Sequence, residues 1–133
     1  MADWTPWNPI KDLSGQYFVD SLQESKDQFI IKLSNYRDGK KIQIRFQHGI
    51  DTYRYINESF CFGIISELEK KYAGSLDLTS IFFKITHSDL LKLMSKKSSG
   101  VSEAYPFIHF CIIAGDEIVD IIARYEPEVK IIQ

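Results

Sequence analysis

The chain has 133 residues, 44% of them hydrophobic and 14% aromatic, with two cysteines and a formal net charge of −2. That size and composition bound one globular domain and exclude a disordered chain. The charge balance argues against a general nucleic-acid binder, and no apolar run approaches the ~20 residues a membrane span needs.

Residues 1–14 hold Trp4, Pro6, Trp7 and Pro9. Prolines at this density oppose regular structure, so we expect an irregular arm whose tryptophans pack onto the domain. The stretch MADWTPWNPI lacks a basic cluster before an apolar core and does not read as a signal peptide. Cys61 and Cys111 sit in apolar surroundings, so buried thiols and a cytoplasmic location are expected.

From Gly15 to Asn57 the pattern predicts four antiparallel strands. Tyr17-Phe18-Val19 begins the first. Phe29, Ile31 and Leu33 alternate with polar neighbours in the second. Ile42, Ile44 and Phe46 alternate strictly with Lys41, Gln43 and Arg45 in the third. Tyr53 and Tyr55 share a face in the fourth, with Arg54 pointing away. Lys32, Lys41, Arg45 and Arg54, with the two tyrosines nearby, interleave basic and aromatic groups as RNA-binding sheets do. No Gly- and aromatic-rich strand of the RNP1 type accompanies them, and Asp38 and Asp51 lie in the same region, so nucleic acid is not an expected partner.

Phe60, Ile64, Leu68 and Tyr72 recur at four-residue steps after the capping residues Asn57-Glu58-Ser59 and before Gly74, which predicts a core-facing helix. Ile81 to Ile85 predicts a short strand. Thr86 and Asp89 have capping-box-like spacing before a second helix, with Leu90, Leu91, Leu93 and Met94 on its apolar side and Lys96 and Lys97 in its last turn. Phe107 to Arg124 is the longest apolar run and reads as two strands around Ala114-Gly115-Asp116-Glu117. A short helix over 116–124 is the competing assignment, because Asp116 could cap it. A last strand is expected over Val129 to Ile132. The result is an α+β domain spanning 1–133: a mainly antiparallel sheet of six to eight strands in the order ββββ-α-β-α-βββ, with two helices packed on one face.

Little catalytic chemistry is written in the chain. His48, His87 and His109 lack metal-ligand spacing, so no metal or cofactor is expected. His109 and Cys111 share a strand face, which reads as a satisfied core histidine beside an inert thiol and not as a Cys–His dyad. Nucleophile-elbow, phosphate-loop, dinucleotide and zinc-protease motifs are all missing, and we expect no enzymatic activity. Residues 101–133 carry six acids against Arg124 and Lys130. They form either an ordinary solvated rim or a docking face for a basic partner, with Asp116, Glu117, Asp120, Glu126 and Glu128 as its contact residues.

Two stretches, FGIISELEKKYAGSLDLTSIFFKITHSDLLKLMSKKSSGV and IHFCIIAGDEIVDIIARYEPEV, together resemble a group of small bacterial proteins. In these a LxxKYG-like helix end precedes an aromatic strand, a short helix and a HFxIxxxDxxxDIIxxxEPxV-like segment. That group is similar to the small cytoplasmic immunity proteins that accompany secreted polymorphic toxins. The resemblance covers about residues 55–132, with Ala73 interrupting the tyrosine–glycine pair. It implies a non-enzymatic protein that binds and blocks a toxin domain, for which an acidic face would suit a basic target such as a nuclease. The alternative, from another class, is a small-ligand-binding or enzymatic domain with a pocket between sheet and helices.

Overall fold

The structure is a computed structural model that describes residues 3–10, 16–57, 70–72, 81–97, 106–115 and 117–132. Its strands are β1 (Asp3–Pro6), β2 (Tyr17–Glu24), β3 (Phe29–Asn35), β4 (Lys41–Phe46), β5 (Thr52–Asn57), β6 (Phe82–Thr86), β7 (Ile108–Ala114), β8 (Glu117–Ala123) and β9 (Glu128–Ile132). A helix, α1 (Asp89–Lys97), lies between β6 and β7.

The strands form two antiparallel sheets. One has five strands in the order β1-β6-β7-β8-β5, and the other has four in the order β2-β3-β4-β9. Their inner faces share one core. Phe29, Ile31, Leu33, Ile42, Ile44 and Phe46 come from the four-stranded sheet, and Phe82, Phe110, Ile112, Val119 and Ile121 from the five-stranded sheet. The phenylalanines interlock across the interface: Phe46 meets Phe110 edge-on at 5.6 Å between ring centroids, and Trp7 lies 4.9 Å from Phe110.

This arrangement corrects the expected α+β fold, a single sheet with two helices on one face. The described residues are dominated by strand, and the layer that covers β2, β3 and β4 is a second sheet. The alternation in Lys41–Phe46 reports only that one face is buried, not what buries it. The four-strand meander divides for the same reason. β2, β3 and β4 stay together, while β5 leaves them and pairs with β8, from Thr52 opposite Ile122 to Asn57 opposite Glu117.

β7 and β8 form the central hairpin, and 116–124 is strand rather than helix over Glu117–Ala123. Two residues connect the arms. Gly115 is left-handed at φ +59°, and a Cβ built there would lie 3.4 Å from the Tyr17 carbonyl oxygen. Both faces of the hairpin are covered. Inward go Phe110, Ile112, Val119 and Ile121. On the outer face Cys111 and Ile118 cluster with Phe83 and Ile85 of β6, and Trp4, Tyr72 and Ile56 pack on them.

The expected irregular arm is in part a strand: β1 pairs with β6, from Asp3 opposite Thr86 to Pro6 opposite Phe83. At this sheet edge a proline forfeits no internal ladder bond. Trp4 packs on Phe83 and donates its backbone N–H to the Tyr72 hydroxyl at 2.7 Å. Of the first predicted helix only residues 70–72 are described, and these are helical; Cys61 and the rest of that stretch lie outside the described residues. In α1, Leu90, Leu91 and Met94 are half-buried and Leu93 faces solvent.

Phe110 touches Trp7, Phe46 and the inner core at once. Phe110→Ala is expected to destabilise the fold by about 3–5 kcal/mol, read as a lowered urea midpoint at unchanged slope.

Candidate functional site

Two places concentrate polar chemistry. The first is a buried chain of hydrogen bonds on the outer face of the five-stranded sheet. Ser88 Oγ lies 2.7 Å from His109 Nδ1, and His109 Nε2 lies 2.8 Å from Asp120 Oδ1. Arg54 donates to Asp120 Oδ2 through Nε at 3.1 Å and Nη2 at 2.9 Å. Ser88, His109 and Asp120 are 6%, 2% and 3% exposed.

Local structure sets each member. The two-residue turn fixes Cys111 opposite Asp120 and His109 opposite Ile122, so His109 and Asp120 are diagonal neighbours on one face. β5 runs alongside β8 and sets Arg54 directly opposite Asp120. His87, left-handed at φ 57°, turns the chain out of β6 so that Ser88 becomes the N-cap of α1 and accepts the Leu91 N–H at 3.1 Å. The cap is therefore Ser88 and not the expected Thr86, which ends β6.

The order Ser–His–Asp invites comparison with a hydrolytic triad, and the geometry answers it. The Ser88 oxygen accepts the Leu91 N–H and lies within hydrogen-bond distance of Nδ1, while Nε2 donates to the Asp120 carboxylate. Ser88, His109 and Asp120 are thereby bonded inside the protein, Arg54 reaches Asp120 from a half-exposed position, and the hydroxyl lies beneath a helix start. The network ties α1 to β7, β7 to β8, and β8 to β5.

Burial pushes the Asp120 carboxyl upward. The His109 hydrogen bond and charge, with the Arg54 charge and hydrogen bonds, outweigh it and hold the group below its ordinary value of 3.8. A carboxylate whose folded pKa is depressed contributes stability that is fully present above its unfolded value and is lost as pH falls through the folded one.

The second place is an open cleft of about 500 Å³ where the edges of the two sheets meet. It is lined by Gln16, Tyr17 and Phe18 at the start of β2, Tyr36 after β3, Tyr55 and Asn57 on β5, and Ala114, Gly115 and Glu117 at the hairpin turn. Asn35 holds Tyr36 in place: its side-chain oxygen accepts the N–H groups of Arg37 at 2.9 Å and Asp38 at 3.2 Å, and the Tyr36 N–H donates to the Gln16 carbonyl. Tyr36 is 76% exposed, with Phe18 and Tyr55 also open to solvent. At the hairpin turn Glu117 joins the sheets. Its Oε1 accepts the Val19 N–H of β2 at 3.2 Å, and its Oε2 accepts the Tyr55 hydroxyl of β5.

The five carboxylates expected to form one docking face are dispersed. Asp116 lies outside the described residues. Asp120 is buried against His109 and Arg54, so its carboxylate is withdrawn from any partner surface. Glu117 lines the cleft, whereas Glu126 lies beyond the far end of β8, about 20 Å away at the rise of a seven-residue strand. Glu126 pairs there with Lys84. Glu128 is on the edge strand β9, 4.0 Å from Lys130. The basic and aromatic side chains of the meander are divided too, with Lys32, Lys41 and Arg45 in one sheet and Tyr53, Arg54 and Tyr55 in the other. Among the described residues no three His, Cys, Asp or Glu side chains gather closely enough to hold a metal ion. None of the helices in the described residues is long and apolar enough to cross a membrane.

Sequence reasoning passed over Ser88, took Arg54 for a basic group on a sheet face and set Asp120 on a docking face. One signal was available. A two-residue hairpin fixes its own register, and counting outward from Gly115 puts the only acid of β8's outer face beside the only histidine of β7. Compared with protein-family models, curated proteins and solved structures, the chain matches none.

Asp120→Ala leaves the buried imidazole and the guanidinium without their acceptor, and a loss of about 3–5 kcal/mol is expected. In Asp120→Asn the titrating group is gone. The stability gap between wild type and Asp120→Asn is therefore expected to narrow as the pH is lowered through and below the ordinary carboxyl value of 3.8, as Asp120 protonates in the wild type. Urea midpoints at descending pH measure it.

Proposed function

We propose that this chain is a non-enzymatic protein-binding domain and that the tyrosine-lined cleft is its contact surface. The observation that carries the proposal is the gathering of exposed aromatic side chains, Phe18, Tyr36 and Tyr55, around one concave site where the two sheets meet. Tyrosine offers a large rigid contact area with a polar tip at low conformational cost, and is enriched among the residues that dominate binding energies. The scaffold supports the same reading. The turn at Asn35 and the Glu117 bridge hold the rim in place before a partner arrives, which lowers the ordering cost of association.

The buried Ser88–His109–Asp120–Arg54 chain favours a structural role, since each group has its partner within the fold. A toxin domain is the particular partner that the resemblance of residues 55–132 points to, and it enters the test as one candidate. A second reading rests on the size of the cleft. At about 500 Å³ it falls among small-molecule sites, although it lies between two sheet edges and not between sheet and helices.

The test is capture from a lysate of the source cells with wild type and with a Phe18→Ala/Tyr36→Ala double variant of matched thermal stability. A stoichiometric protein partner held by wild type and lost by the variant is expected, with an affinity loss of about 2 kcal/mol or more. A partner held equally by both places the contact surface elsewhere on the molecule.

A further inference from the structure

The charges around the cleft are not balanced as they are elsewhere. Four carboxylates of the C-terminal segment are described, and three have a basic neighbour: Asp120 has Arg54, Glu126 has Lys84 and Glu128 has Lys130. Glu117 has no lysine, arginine or histidine within ion-pair distance among the described residues. Its oxygens are instead oriented by two neutral donors, the Val19 N–H and the Tyr55 hydroxyl, one on each. A half-buried carboxylate held in this way is fixed in direction, keeps a free lone pair on each oxygen, and has its charge uncancelled. Around it stand the exposed rings of Phe18, Tyr36 and Tyr55. Aromatic faces attract cations, and a planar guanidinium also stacks on them.

From this we infer that the cleft receives an arginine side chain of the partner protein. The guanidinium forks onto the two oxygens of Glu117, and the aliphatic stem lies against the rings of Phe18 and Tyr36. This rests on the cleft being the docking surface and adds the chemistry of its occupant. Arginine fits better than lysine because two parallel N–H donors match two oxygens that each accept one more bond, whereas an ammonium is a point charge. It also gives the expected docking of a basic partner a definite location, one carboxylate in an aromatic cleft in place of a broad acidic face.

The experiment titrates 15N-labelled full-length chain with Nα-acetyl-argininamide, with the neutral isostere Nα-acetyl-citrullinamide, and with Nα-acetyl-lysinamide, following amide shifts by NMR. Saturable shifts at Phe18, Tyr36, Tyr55, Gly115 and Glu117 are expected with the arginine probe, weaker ones with lysine, and none with citrulline. In Glu117→Gln the arginine response is expected to weaken about tenfold or more. Because that variant also alters the Val19 and Tyr55 bonds, the arginine–citrulline comparison on wild type decides independently of it. Equal responses to arginine and citrulline, no response to either, or lysine binding as tightly as arginine would each overturn the assignment. If no probe binds while the Phe18→Ala/Tyr36→Ala variant still loses its captured partner, the arginine is wrong and the docking surface stands.

Discussion

The β7–β8 hairpin is apolar on both of its faces, and that constraint shapes the rest of the molecule. A sheet with one apolar face needs one covering layer; this one needs two. The four-stranded sheet supplies the inner cover through Phe29, Phe46 and their aliphatic neighbours. Trp4, Tyr72 and the start of α1 supply the outer cover. Asp120 and His109 are the exceptions to the apolar rule on the outer face, and donors from β7 and β5 surround the carboxylate. A lone carboxylate at that depth would be costly; bonded to His109 and Arg54 it becomes a fastener that specifies register.

The same residues explain where the sequence was readable. Lys41–Phe46 alternates strictly because one face is solvated, and its strand assignment follows directly. The hairpin was legible from its β-branched composition and its single turn signal, and α1 from its spacing, though not its cap. The sandwich was not, because a strand's pattern states how many faces are buried and never names the covering element. Strand β5 shows the difficulty best. Nothing in Thr52–Asn57 distinguishes a fourth meander strand from an edge partner for β8, 66 residues away along the Arg54–Asp120 pair. The cleft was equally hidden, since it is assembled from residues 16–18, 36, 55–57 and 114–117. The functional emphasis moved with it, from a summed acidic charge to one carboxylate whose neighbours leave its charge in place.

Rigidity distinguishes the two polar sites. In the outer network Ser88, His109 and Asp120 are buried and bonded to one another, with Arg54 on the second carboxylate oxygen, so the network serves the fold. Around Glu117 the donors are neutral and the charge is left over, so the site is closed in geometry but open in electrostatics. That combination lets one residue join the two sheets while keeping the charge on which the proposed arginine contact depends.

The strand pairing has a further consequence, for how the molecule reaches this state. β1 closes the five-stranded sheet by pairing with β6 some eighty residues later, and β9 completes the four-stranded sheet by pairing with β4, which precedes it by a similar span. The Glu117–Val19 bond crosses 98 residues. Contacts this distant in sequence require large loops to close before they are rewarded, which slows folding relative to locally wired domains. On a ribosome neither sheet could complete itself early. The β2–β3–β4 meander could form first but would wait, with Ile42, Ile44 and Phe46 uncovered, until the hairpin followed. During that interval the apolar face that later becomes the core is the chain's most exposed liability for aggregation.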